Sequence, residues 1–358
     1  MKKKLLVAGI IVCGLALTAC NSEEVNTDKE QVTLSLNVST ENSGAGNVLT
    51  PEVTLEDEDA ELDETNDTKT EVESPEEEPT PAPTPEPTEA PTEAPTESPK
   101  TVSPSVLENG QAVAFDTSWQ YADFSEIHSG SAVFYKAESN RKNIVIAVNA
   151  GHGTKGGSSV KTYCHPDMSA KTTGGSTASG STKAAAVSGG MSFSDGTPEA
   201  SVTLAMARKL RDRLLAEGYD VLMIRDGEDV QLDNVARTVM ANNMANCHIA
   251  IHWDGDGLNY DKGCFYISVP EGIKGMEPVA SHWQQHNALG SNLVEGLKNA
   301  GCKINGGGSM AVDLTQTSYS TIPSVDMELG NQSSDHSDAT LSQLAEGMVS
   351  GINMYFGQ

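Results

Sequence analysis

Four residues have the types and settings that hydrolytic chemistry asks for: His152, Glu199, His252 and Glu328. His152 sits in VNAGHG, directly after the apolar run NIVIAV, so a strand ends in a Gly-His-Gly step. His252 lies in IAIHWDG and Glu328 in SVDMELGN, each near the end of another apolar run. Glu199 follows Gly-Thr-Pro at a helix start, where Thr197 can cap and Pro198 suits the first helical position. Singly, most have ordinary explanations. A first-turn carboxylate is favoured by the helix dipole, a histidine between glycines is a turn residue, and a histidine in an apolar strand can be a satisfied core group. Glu328 is harder to dismiss, because a carboxylate between Met327 and Leu329 in a buried strand is costly without a partner. Jointly, two imidazoles and one carboxylate leave a fourth position open for water, the pattern of a catalytic rather than a structural zinc site.

The elements that must position these residues are legible in outline. NIVIAVNA is a short β-branched run, hence a buried strand. PEASVTLAMARKLRDRLLAEG places Val202, Ala205, Met206, Leu210 and Leu214 at helical spacing and stops at Gly218. YDVLMIRD, CHIAIHWDG, GCFYISVP and SVDMELGN read as further strands. VQLDNVARTVMANNMAN, SHWQQHNALGSNLVEGLKNAG and DATLSQLAEGMVSGINMYF read as helices. Such alternation implies a largely parallel sheet covered on both faces, with ligands gathering beyond the carboxyl ends of the strands. The 46 residues between His152 and Glu199 break the pattern: they are dense in Gly, Ser, Thr and Lys and show no clear period. A loop of that length inside a compact domain is normally functional or disordered, and this one borders any site at His152. The lead-in, residues 101–143, predicts a strand or two packed on the domain edge.

The chain begins MKKKLLVAGIIVCGLALTAC: three lysines, a short apolar core and small residues, the anatomy of a secretory leader over residues 1–20. Leu5 to Leu17 falls short of the roughly 20 residues that span a bilayer. LTAC resembles the lipobox of bacterial lipoproteins, which implies lipidation at Cys20 and anchoring to the outer face of the cell membrane. Residues 21–100 hold 23 acidic side chains against three lysines and a Pro-Thr-Glu-Ala repeat, an extended disordered stalk in composition. Of the formal charge of −27, that segment accounts for −20 and the leader for +3, leaving −10 for residues 101–358. The acidity thus belongs to the stalk. With no basic stripe to neutralise phosphates, nucleic acid is excluded as a partner. The remaining 258 residues suffice for one large domain. Cys164, Cys247, Cys264 and Cys302 show no CxxC spacing, so a cysteine-rich zinc site is disfavoured, and their disulfide pairing stays open. Neither HExxH nor an HxxE spacing is present, which disfavours those zinc peptidases.

Residues 144–355 resemble the zinc-dependent N-acetylmuramoyl-L-alanine amidases of the Amidase_3 type. The resemblance rests on AGHG, PEA opening a helix, GYDVLMIRD, VARTVMANNMAN, IAIH and DMELGN. It implies a three-layer α/β/α sandwich around a mixed, mostly parallel sheet, with the catalytic domain at residues 144–358. It also implies one Zn2+ per chain held by His152, Glu199 and His252, with Glu328 as the catalytic glutamate. Arg225, Arg237 and Asn242 match family positions, read as structural or substrate-orienting. The substrate implied is peptidoglycan, cut at the amide between N-acetylmuramic acid and L-alanine. The chain departs from the family at Asn149, where an acidic residue is usual, at Ala250 (Ser) and at Asp254 (Asn), and its loop after His152 is longer. Two other functions fit the same residues: a wall-binding lipoprotein with a degenerate site, and a zinc peptidase acting within the stem peptide.

Overall fold

The computed structural model describes residues 107–358. The leader, Cys20 and the acidic stalk lie outside the described residues. In chain order the elements are β1 (Gln111–Ala114), β2 (Ser131–Tyr135), β3 (Val145–Ala150), β4 (Lys161–Tyr163), β5 (Lys183–Ala185), α1 (Glu199–Glu217), β6 (Asp220–Met223) and α2 (Asn234–Met244). They continue with β7 (Cys247–Asp254), β8 (Cys264–Ser268), α3 (Val279–Asn299), β9 (Ile304–Ala311), α4 (Thr315–Tyr319), β10 (Ser324–Asn331) and α5 (Asp338–Phe356). Eight strands form one sheet in the order β1-β2-β6-β3-β7-β10-β8-β9. The centre, β6-β3-β7-β10, is parallel, and so is the β8-β9 pair. β1-β2, β2-β6 and β10-β8 are antiparallel. The expected sandwich on a mixed, mostly parallel sheet is therefore present, and the lead-in supplies the two strands at one edge.

Strand alternation divides the core into two layers. Ile146, Val148, Ile249, Ile251, Val325 and Met327 face α1, α3 and α5, packing with Val202, Met206, Leu210 and Leu214 of α1. Those four residues recur every fourth position and form the stripe the sequence predicts, whereas Ala205, expected on the same face, is exposed. Val145, Ala147 and Leu222 point the other way, onto Ala236 and Met240 of α2. On β10, Ser324, Asp326 and Glu328 alternate with Val325, Met327 and Leu329, so the polar set faces the α2 side.

The cap of α2 fastens the lead-in. Asp233 accepts hydrogen bonds from the amides of Ala236 (2.7 Å), Glu126 (2.6 Å) and Ile127 (2.8 Å), and from the Ser125 hydroxyl (3.1 Å). One carboxylate thus satisfies the helix start and ties residues 125–127 to it. The start of α1 differs from expectation: the helix begins at Glu199, Pro198 occupies the N-cap, and no side chain caps it. The Glu199 carboxylate is engaged elsewhere.

Two buried histidines contribute to the acid response of the fold. Burial, with the Arg237 guanidinium nearby, pushes His248 down to about 3. Burial, with His282 and His248 nearby, does the same to His286, also to about 3. An unfolded chain protonates both near the ordinary value of about 6.5 while the folded chain refuses the proton. The stability they permit is complete above that pH and falls as pH drops towards 3, by about 1.4 kcal/mol per unit for each. Between pH 6.5 and 5, His248→Asn should lose less stability per pH unit than the wild type, by up to about 1.4 kcal/mol, in denaturant unfolding. An unchanged slope in that variant contradicts burial of a neutral imidazole.

Candidate metal centre

His152 ends the first central strand in an unusual backbone conformation, with φ of 65°. A non-glycine residue there is strained by about 1 kcal/mol or more and persists only where its surroundings hold it. Here Arg237 holds it. The guanidinium donates to the carbonyls of His152 (2.6 Å), Ala150 (3.1 Å) and Leu232 (2.9 Å) and to Asn149 Oδ1 (3.1 Å). Arg225, fully buried beside it, donates to the carbonyls of Ala150, Gly151 and Ala200. Asn242 bridges the Tyr319 carbonyl and the Thr321 amide, joining α2 to the segment after α4. All three bond mainly to backbone groups, and Arg237 also lines the cavity.

The ring of His152 is oriented by the long loop. Its Nδ1 donates to the Ser188 carbonyl at 2.9 Å, which leaves the Nε2 lone pair aimed inward. His152 Nε2, Glu199 Oε1 and His252 Nδ1 form a near-equilateral triangle with sides of 2.9, 3.0 and 3.2 Å. Among the described residues, these three are the cluster of His, Cys, Asp or Glu donors that all lie within 4.8 Å of one another. Tetrahedral zinc, with ligands at about 2.0–2.1 Å, needs donors roughly 3.3 Å apart, so small outward shifts make the triangle fit. The second Glu199 oxygen accepts from the Met191 amide at 2.9 Å, and Oε1 also accepts from the Trp253 amide at 3.1 Å.

Electrostatics fit a cation as well. Burial opposes the charged form of Glu199, yet hydrogen bonds to His152 and His252 hold it far below the ordinary carboxylate range. Burial likewise opposes charge on His252, but the carboxylates of Asp326, Glu199 and Glu328 outweigh it and lift the imidazole to about 10. The carboxylates around His252 thus favour a positive group beside them. Burial and the neighbouring Asp326 carboxylate push Glu328 well above the usual range. Glu328 pairs in register with His252 across β10 and β7, and both line one cavity of about 630 Å³. Its Oε2 is buried without a hydrogen-bond partner. The structure therefore brings together all four residues singled out, three from strand ends and Glu199 from the start of α1.

The backbone is built around this cluster. A Cβ on Gly151 would lie 2.2 Å from His252 Cε1. One on Gly190, whose φ is +81°, would lie 2.9 Å from the His152 ring and 3.0 Å from Glu199.

A family model described as N-acetylmuramoyl-L-alanine amidase matches residues 146–353. The chain belongs to the N-acetylmuramoyl-L-alanine amidase family. Its fold is similar to that of the crystal structure of the amidase Ami1 from Mycobacterium smegmatis, at 20% identity over 61% of this chain and 99% of that one, with a TM-score of 0.51. The apo form of Ami1 from Mycobacterium abscessus matches at 20% identity over 60% and 98% of the two chains, with a TM-score of 0.48. Among curated proteins, none matches the chain.

Two features of this amidase-family site had escaped the sequence reading, and the long loop expected to border it has an order that no local pattern shows. Asp326 is buried in the cavity wall two residues before Glu328, and the cost argument that singled out Glu328 applies to it equally. The Ser188 carbonyl carries no signal in a Gly/Ser-rich stretch. The long loop, finally, is a built wall. It forms the β4-β5 hairpin and is fastened at Asp313, which accepts from the Thr172 amide (2.8 Å), pairs with His165 Nε2 (2.9 Å) and bonds Thr173 Oγ1 through its own amide (2.8 Å). Lys171 donates to the Asp313 carbonyl. Lys171, Ser176 and Val187 of that loop line the cavity together with Met310 and Val312. The four cysteines are free thiols.

Proposed function

We propose that the chain hydrolyses the amide between N-acetylmuramic acid and the L-alanine of the stem peptide, with one zinc ion held by His152 Nε2, Glu199 Oε1 and His252 Nδ1. The observation that supports this most directly is the triangle of three donors beside a fourth, unpartnered carboxyl group in one cavity. When bound, zinc supplies a Lewis acid that lowers the pKa of water towards about 7 and polarises the scissile carbonyl. Glu328 takes the proton as water oxygen attacks that carbonyl and delivers it to the departing amine nitrogen as the C–N bond breaks. The Ser188 carbonyl and Arg237 keep His152 in place through these steps. Residues of the 171–188 and 310–316 segments line the cavity that would receive the scissile bond.

Gly151→Ala tests the close approach. The added methyl displaces His252, so zinc affinity should fall at least about 10-fold, as when a ligand's support is lost. Competition with a chromophoric chelator measures it, and an unaltered affinity contradicts the ligand role of His252.

The digestion assay uses the full-length chain and purified peptidoglycan, with and without chelator, followed by fragment mass analysis. The expected products are glycan strands stripped of whole stems and new free L-alanine amino groups, absent under chelation. Cuts within the stem would instead assign a peptidase. Retention on the wall without cutting would assign a binding protein, the reading that the departures at Asn149, Ala250 and Asp254 suit.

Lipidation of Cys20 would place this activity on the outer face of the cell membrane, with the acidic stalk as spacer. The support is the LTAC stretch after a short apolar core. Labelled palmitate entering the wild type but not Cys20→Ala is the expected result, and equal labelling refutes it.

A further inference from the structure

Each imidazole of the centre turns one nitrogen inward and leaves the other to be satisfied. For His152 the outward Nδ1 donates to the Ser188 carbonyl at 2.9 Å. For His252 the outward atom is Nε2, and the carboxylate it faces is Asp326, with Oδ2 at 3.8 Å. Asp326 has no evident structural purpose. It is 9% exposed, its Oδ1 has no hydrogen-bond partner, and it sits on β10 between the apolar Val325 and Met327. Its neighbour in register on β7 is Ala250, too short to reach it, and the next residue on that face is His252. Leaving a carboxylate oxygen buried and unpaired costs about 1–3 kcal/mol or more. A cost of that kind is retained where the group serves the site.

We propose that Asp326 is a positioning residue for the metal ligand His252. Resting on the zinc reading above, it accepts the Nε2–H of His252, fixes that tautomer and keeps the Nδ1 lone pair aimed at the His152–Glu199 side. The 3.8 Å separation is an ion-pair distance, and side-chain movement of about 1 Å brings it to hydrogen-bond length. Carboxylates in this supporting position change metal affinity by about 10- to 100-fold when removed. Glu328, on the same strand face, stays free to handle the water proton, so the two carboxylates of β10 divide the work.

The test is zinc titration of the metal-stripped full-length chain against a chromophoric competitor, for the wild type, Asp326→Leu and Asp326→Asn. Asp326→Leu, which replaces both oxygens by methyl groups on the same branched skeleton, should weaken zinc binding about 10- to 100-fold. Asp326→Asn keeps an oxygen acceptor and should lose clearly less. The metal-free Asp326→Leu chain should unfold at the same or higher denaturant concentration, because an unpaired buried carboxylate is gone. Wild-type zinc affinity in Asp326→Leu overturns the proposal. So does an equal loss in both variants, which would make charge alone responsible, and so does a destabilised metal-free Asp326→Leu, which would make Asp326 structural. A wild type that binds no zinc sinks the metal centre itself, and this role with it.

Discussion

Glu328→Gln should lose hydrolysis by on the order of 10²- to 10⁴-fold in kcat while keeping its zinc. The carboxylate lies on the same cavity as the donor triangle, in register with His252, yet it is not one of the three atoms that close on one another. Removing it therefore takes away the proton carrier and leaves the ligand set intact. Glutamine preserves the volume, so the β10 strand and its apolar face keep their packing. The loss should fall on kcat with KM little changed, because the proton moves only as the amide breaks. Metal analysis of the purified variant together with steady-state kinetics on soluble peptidoglycan fragments measures both. Near-wild-type turnover would remove Glu328 from the chemistry, and loss of zinc would make it a ligand instead.

His152→Asn should lose the zinc as well as the activity. A triangle reduced to Glu199 and His252 holds the ion with two donors, and affinity should fall by more than the roughly 100-fold ceiling for losing a supporting partner. Asparagine is chosen because the backbone at this position has φ of 65°, a region that asparagine enters more readily than most residues. The hydrogen bond from Arg237 goes to the His152 carbonyl and survives the change. The metal-free variant should therefore unfold at the wild-type denaturant concentration, which separates loss of a ligand from loss of the fold. Retained zinc affinity in a folded variant would contradict the assignment.

The site was readable before the fold was, and for a physical reason. Buried strands cannot keep polar groups at their centres cheaply, so His152, His252 and Glu328 at the ends of apolar runs pointed to one edge of one sheet. Helix α1 was legible through the spacing of Val202, Met206, Leu210 and Leu214, which is the stripe it buries. β9 was not, because INGGGSMA has neither alternation nor β-branched density beyond its first residue. The short α4 has too few residues to show a period. The order inside the loop after His152 depends on contacts far apart in sequence, such as His165 and Thr172 with Asp313, which no local pattern encodes. Asp326 was within reach of the same burial reasoning that singled out Glu328, two residues away on the same face. Thr197 misled because capping propensity speaks for the isolated helix, whereas Glu199 at this helix start is drawn to two imidazoles.

A crystal of the full-length chain soaked in zinc, with diffraction recorded on both sides of the zinc absorption edge, tests the metal centre most directly. One anomalous peak should lie between His152 Nε2, Glu199 Oε1 and His252 Nδ1, with Glu328 beside it and outside bonding distance. A peak elsewhere, or none among those three atoms, would contradict the account.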